Sequence, residues 1–168
     1  TVEKEYGEDY YKHPEQLADL SSKQRTIDKI ITDCFEQIVY SINQPTGARN
    51  FQAVFWNVAY YDQYYFNSLF EHFVFPDGNA PHWESLSWLQ KRFMKWFNKE
   101  RTKAILTFPV ETMALLTKDG DVLDKEYGDF TAEMYAEGHS FFTYMSDNAD
   151  SLSSCCRLRN EIQLSLIH

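Results

Sequence analysis

Two cysteines stand side by side at Cys155 and Cys156 in the stretch SSCCRLRN, with Arg157 and Arg159 close behind them. Consecutive Cα atoms lie about 3.8 Å apart, short of the roughly 4.4–6.8 Å that an unstrained disulfide spans, so the pair makes a poor structural bridge. A free thiol has a pKa of about 8.5, and adjacent guanidinium groups favour the thiolate. Nucleophilic or redox use is therefore open. So is a third use, in which a neutral S–H in a dry cavity loses a hydrogen atom and becomes a thiyl radical. An inert loop is the bland alternative, and spacing does not choose among the four.

Other chemistries find less support. His13, His72, His82, His139 and His168 form no H-x-x-x-H pair and the cysteines form no C-x-x-C, so no metal site is expected. Neither G-x-G-x-x-G nor G-x-x-x-x-G-K-[ST] occurs, which leaves dinucleotide-binding and P-loop readings without a fingerprint. Glu111, in FPVETM, falls just beyond an expected buried strand, where α/β folds place site residues. It is a single carboxylate and a weak signal.

Composition bounds the setting of these residues. At 168 residues, one domain able to bury roughly 70% of its unfolded surface is expected. Aromatic residues make up 17% of the chain, too much ring surface for a disordered one. The net charge of -9 argues against a nucleic-acid binder, which needs clustered Lys and Arg to displace counterions. No apolar run reaches membrane-spanning length, and the charged start TVEKEYGEDYYKHPEQ is no signal peptide. Three cysteines form no disulfide framework. The expectation is a soluble, unexported protein of the reducing cytoplasm.

Periodicity then supplies the elements. Ile27, Ile30, Ile31, Cys34, Phe35, Ile38, Val39 and Ile42 recur at helical spacing, with Ser21 or Ser22 as the cap and Pro45 after the end. Cys34 reads there as a small buried hydrophobe. Phe51–Ala59 reads as a short extended segment passing into a helix near Asp62–His72, its rings as core. A second long helix runs from about Trp83 to Arg101, with Trp83, Leu86, Leu89, Phe93, Trp96 and Phe97 on one face. KAILTFPV reads as a buried strand ended by Pro109. KDGD is a turn, and Asp124–Met145 a third helix, which Gly138 either packs closely or splits near His139. The cysteine pair falls on a loop. Helix, extended piece, helix, strand, helix and loop in that order define an α/β fold.

SINQPTGARNFQAVFWN, FVFPDG, WLQKRFMKWFNKERTKAILTFPVET, DFTAEMYAEGHSFFTYMSD and SLSSCCRLRNEI, long and in order, closely resemble the anaerobic, class III ribonucleoside-triphosphate reductases from about Ser41 to Ile162. The resemblance implies a helix-rich partial segment of a ten-stranded α/β barrel of the glycyl-radical type. It implies reduction of ribonucleoside triphosphates to deoxyribonucleotides, with a finger-loop cysteine relaying the radical as a thiyl that abstracts the 3′ hydrogen of the ribose. That position maps onto Cys156, with Cys155 as the fallback, because more distant members carry a single cysteine directly before arginine. Arg157 and Asn160 become the candidate substrate-binding residues. Arg157 and Arg159 either meet substrate phosphate, hold the loop, or are plain surface charges.

The same resemblance implies a glycyl radical installed by a radical-SAM activase, a structural zinc, dNTP and ATP effectors and a homodimer in the full-length protein. None of the parts that would house the cofactors matches a segment here: ATP-cone, second active-site cysteine, glycyl-radical segment and zinc site have no counterpart. Residues 1–168 are therefore expected to be a single partial catalytic-barrel domain, a fragment inactive by itself. The rival expectations are a noncatalytic helical interaction module and a stand-alone thiol redox protein.

Overall fold

The computed structural model describes residues 7, 9–15, 17–18, 25–153 and 159–161, with backbone alone at 17–18, 49, 152–153 and 159–161. Its contacts divide the chain into two compact units, residues 1–55 with 84–108 and residues 56–83 with 109–168.

The first unit is built on two long helices, α1 (Ile27–Asn43) and α2 (Trp83–Arg101, from Glu84 onward). A two-residue antiparallel pair, β1 (Leu17–Ala18) and β2 (Arg25–Thr26), precedes α1. The α1 cap is Thr26, whose side chain accepts from Lys29 N at 3.1 Å, in place of the expected Ser21 or Ser22. The α1 stripe buries Ile27, Ile31, Phe35 and Val39, four residues apart on one seam. Phe35 meets the α2 ring Phe93 edge to face at 5.0 Å and lies 5.5 Å from Trp96. Cys34 is exposed, which corrects the buried reading. The apolar pattern spans a wider arc of α1 than its neighbours cover, so Ile38 is also half exposed.

Polar ties fix the two helices. Arg92 forks onto both Asp28 oxygens at 2.7 and 2.9 Å, a bidentate geometry specific to guanidinium and carboxylate. Tyr40 donates to Glu100 at 2.8 Å, and Lys103 holds the other oxygen at 2.7 Å. At the end of α1 the Asn43 amide donates to the Val39 and Phe108 carbonyls and its oxygen accepts from the N–H groups of Thr107 and Phe108.

That clamp explains why KAILTFPV is not the strand. Thr107 and Phe108 give their backbone groups to Asn43, and Ile105 is 99% exposed. The strand starts after Pro109, as β4 (Val110–Lys118). Proline has no N–H for a ladder and so fits only at a strand's beginning or edge.

In the second unit β4 is the central strand. It pairs in parallel with β3 (Asn57–Tyr61) on one side and β6 (Phe142–Ser146) on the other, in the registers Ala59↔Thr112 and Ala114↔Tyr144. Glu111 to Leu115 are all buried, the continuous burial of a parallel strand covered on both faces. The extended segment thus begins at Asn57, later than the expected Phe51. The helix after it, α3 (Gln63–Phe70), starts at the Asp62 cap and stops short of His72.

β4 turns into β5 (Asp121–Val122) through Asp119 and Gly120, both at positive φ. This is the two-residue hairpin chemistry of an Asp-Gly pair. The helix α4 (Lys125–Ala136) follows, and residues 142–146 form β6 rather than its continuation to Met145. Gly138, at φ +84, ends α4, its N–H donating to the Tyr135 carbonyl while His139 N donates to Met134 O at 3.0 Å. That double closure needs a left-handed residue and stops the helix. The splitting role of Gly138 therefore prevails. Phe66, Trp83 and Tyr127 pack ring on ring beside the sheet. Last come β7 (Ser151–Ser153) and β8 (Arg159–Glu161), an antiparallel pair with Ser153 opposite Arg159.

Candidate functional site

Cys155, Cys156 and Arg157, with the loop assigned to them, lie outside the described residues. Arg159 and Asn160 are placed by backbone only, on β8, with Asn160 opposite Leu152. The site is therefore built from what precedes it in the chain.

Ser151, four positions before Cys155, is fully buried. Two tyrosines from different elements converge on it. The Tyr65 hydroxyl, from α3, donates to the Ser151 carbonyl at 3.0 Å, and the Tyr144 hydroxyl, from β6, lies 2.6 Å from Ser151 Oγ. The Ser151 N–H donates in turn to Asn148 O at 3.1 Å. Backbone N–H, backbone C=O and hydroxyl of one residue are all engaged before the chain reaches the cysteines. Burial pushes the Tyr65 phenol up to about 12, a hydrogen bond with Ser146 opposing and the charges of Tyr144 and Asp62 adding to the rise. The phenol stays protonated through the neutral range and remains a donor.

Tyr65 is itself held by Asp62. This carboxylate, fully buried, accepts from Tyr65 N at 2.8 Å and from Leu116 N at 2.6 Å. It caps α3 and joins it to β4 at once. Burial raises the Asp62 pKa, the two backbone N–H groups counteract, and the charge of Asp124 adds to the rise. Asp124 caps α4 through Tyr127 N and also accepts from Gln63 N, both at 3.0 Å. Each aspartate thus serves the start of α3, and each also caps a helix.

Glu111 sits within β4, not beyond a strand end. It is buried and its Oε1 accepts from the Tyr60 hydroxyl at 2.5 Å. The sequence signal for Asp62 was the acid between an extended run and a helical one in YYDQYYF. Nothing in spacing marked Tyr65, Tyr144 or Ser151; Tyr65 fell among the rings read as core.

A shallow recess of about 690 Å³ opens where Thr117 and Asp119 approach Tyr144 and Asp147. Among the described residues, no group of three or more His, Cys, Asp or Glu is placed to hold a metal ion. No described helix is long and apolar enough to cross a membrane.

A central strand paired in parallel on both sides, with helices between the strands, describes a segment of an α/β fold. Residues 9–165 match the family model of the anaerobic ribonucleoside-triphosphate reductase, and the chain belongs to that family. Among solved structures, the anaerobic ribonucleotide reductase from Thermotoga maritima with citrate in the active site is 35% identical, with a TM-score of 0.68 over 74% of this chain and 22% of that one. The same reductase in complex with dATP and CTP is 35% identical, with a TM-score of 0.69, covering 77% of this chain and 22% of that one. A third structure, an anaerobic ribonucleotide reductase, is 34% identical, with a TM-score of 0.69 over 74% and 20%. No curated protein matched. The α/β fold with its parallel sheet is thus a partial segment of the reductase barrel fold, and the chain spans about a fifth of the length of these structures.

Proposed function

We propose that residues 1–168 belong to one catalytic-barrel domain of an anaerobic ribonucleoside-triphosphate reductase and carry its thiyl-forming cysteine. The observation that supports this reading is the family match, whose range of residues 9–165 includes the SSCCRLRN stretch. Cys156 is the leading position and Cys155 the fallback. In the step assigned to it, the sulfur radical takes one hydrogen atom from the ribose C3′. An S–H bond forms, a C–H bond breaks, and the unpaired electron passes to carbon. Arg157 and Asn160 are assigned to the ribonucleoside triphosphate. The wider reading includes a glycyl radical from a radical-SAM activase, structural zinc and dNTP or ATP effectors elsewhere in the protein, a homodimer and a cytoplasmic location. The Thermotoga maritima structure with dATP and CTP supports a nucleotide as the ligand class.

The test is a chimera, in which residues 9–165 replace the matching segment of the Thermotoga maritima reductase. After activation, the glycyl radical signal reports that the chimera is assembled. Loss of deoxyribonucleotide formation in Cys156→Ala, with that signal retained, is the expected result. Full turnover in Cys156→Ala and loss in Cys155→Ala would move the role to Cys155. Full turnover in both would overturn the reading.

A further inference from the structure

We infer that Phe51, Phe55 and Ile105 form an apolar knob that seats against the part of the reductase polypeptide lying outside this chain. The inference rests on the reading of the chain as one segment of a reductase catalytic domain, and it names a contact surface for that segment.

Phe51 is 76% exposed, Phe55 60% and Ile105 99%. Single apolar residues on a surface are ordinary, whereas several gathered in one place mark a contact. The end of α1 gathers these three. Phe51 N–H donates to Thr46 O at 2.8 Å and Val54 N–H to Ile42 O at 3.0 Å, which folds the chain after α1 back onto that end. Asn43 holds Thr107 and Phe108 at the same end, just past Ile105, and the Phe108 ring meets Phe55 at 5.1 Å. The backbone at the tip is unfavourable as well. Asn50 and Phe51 both take left-handed conformations, at φ 51 and 61, which asparagine tolerates and a bulky ring does not. Glycine would serve that backbone without strain. A strained ring standing in water is offset only where something covers it.

The stretches that carry the knob, NFQAVFW and AILTF, hold no charged residue in a chain that is 24% charged, and Arg49 and Lys103 stand only at their edges. An apolar centre with charge kept to the rim suits a protein face rather than a phosphate group. The match to the reductase structures covers 20–22% of their length and leaves 78–80% of it outside. That remainder of the same polypeptide is the occupant assigned to the knob.

Ile105→Cys places a thiol on the knob, and its maleimide labelling rate, read at residue 105 by mass spectrometry, reports cover. In this chain the rate should be that of a free thiol, and in the chimera it should fall about 10-fold or more, as for a site that opens only by local unfolding. Adding Phe51→Gly to that chimera should restore most of the rate. In this chain Phe51→Gly should leave the thermal midpoint unchanged or higher, because it relieves the left-handed strain. A lower midpoint there would show that the ring packs within the chain and overturns the inference. Equal labelling in this chain and in a chimera that gives the glycyl radical signal overturns it too. Labelling of this chain that slows as its own concentration rises puts a second copy on the knob, and the assigned occupant is then wrong. If Cys156→Ala and Cys155→Ala chimeras both turn over, the thiyl reading falls while the knob is judged by labelling alone.

Discussion

The Tyr60 hydroxyl donates to Glu111 Oε1 at 2.5 Å across two parallel strands, with both residues buried. A buried carboxylate depends on such donors, because removing one leaves the desolvation of the acid uncompensated. Tyr60→Phe should therefore destabilise the protein by about 1–3 kcal/mol, seen as a lower urea midpoint. Glu111→Gln keeps an acceptor at the same place and should cost less.

Glu100 contributes to the acid limb of stability. Hydrogen bonds from Lys103 and Tyr40 hold its pKa below the ordinary 4.5. A lowered acid contributes stability that is present above 4.5 and is lost as pH falls through the folded value. Thermal melts of Lys103→Met and Tyr40→Phe should show a shallower acid decline than wild type.

Asp62 acts with the opposite sign. Burial raises its pKa above 3.8, so the folded protein takes up the proton more readily than the unfolded chain, and this contribution shrinks as pH rises from 3.8 through the folded value. Asp62→Ala removes the acceptor of two N–H groups and should cost about 2 kcal/mol or more at neutral pH. Asp62→Asn should remove this contribution to the pH dependence while still costing one acceptor, which a pH series of chemical denaturation would read.

Cys34 should react with a maleimide in the native protein, without denaturant, because its position on α1 is exposed. Protection of this thiol until unfolding would show that α1 is covered there in solution.

Gly120 sits at φ +86 with open space around its missing Cβ. Gly120→Ala clashes with nothing yet should cost about 1 kcal/mol or slightly more in backbone strain, read from the thermal midpoint.

The elements longest in the sequence were the most legible. Trp83–Arg101 emerged with the ends the apolar spacing implied, and α1 ended where Pro45 required. Misreadings came where a single residue overruled a pattern. Pro109 moved the strand to its far side, and Gly138 turned one long apolar stretch into α4 and β6. Apolar runs such as ILTF look alike whether they enter a ladder or give their backbone to an asparagine, because that partner lies far away in sequence. The cysteines were visible as chemistry but not as a geometry. The tyrosines that meet at Ser151, Tyr65 and Tyr144, were marked by no pattern, since a hydroxyl's partner depends on the fold.

Asn43 acts as a surrogate peptide group, giving two protons and taking two at the end of α1. Aspartate has its outline and none of its protons. Exchange of that one nitrogen for oxygen, whether by mutation or by slow hydrolysis of the amide, would turn the Val39 and Phe108 carbonyls from partners into repelling neighbours. A change of about one dalton, invisible in shape, would then release the turn that delivers the chain to Pro109.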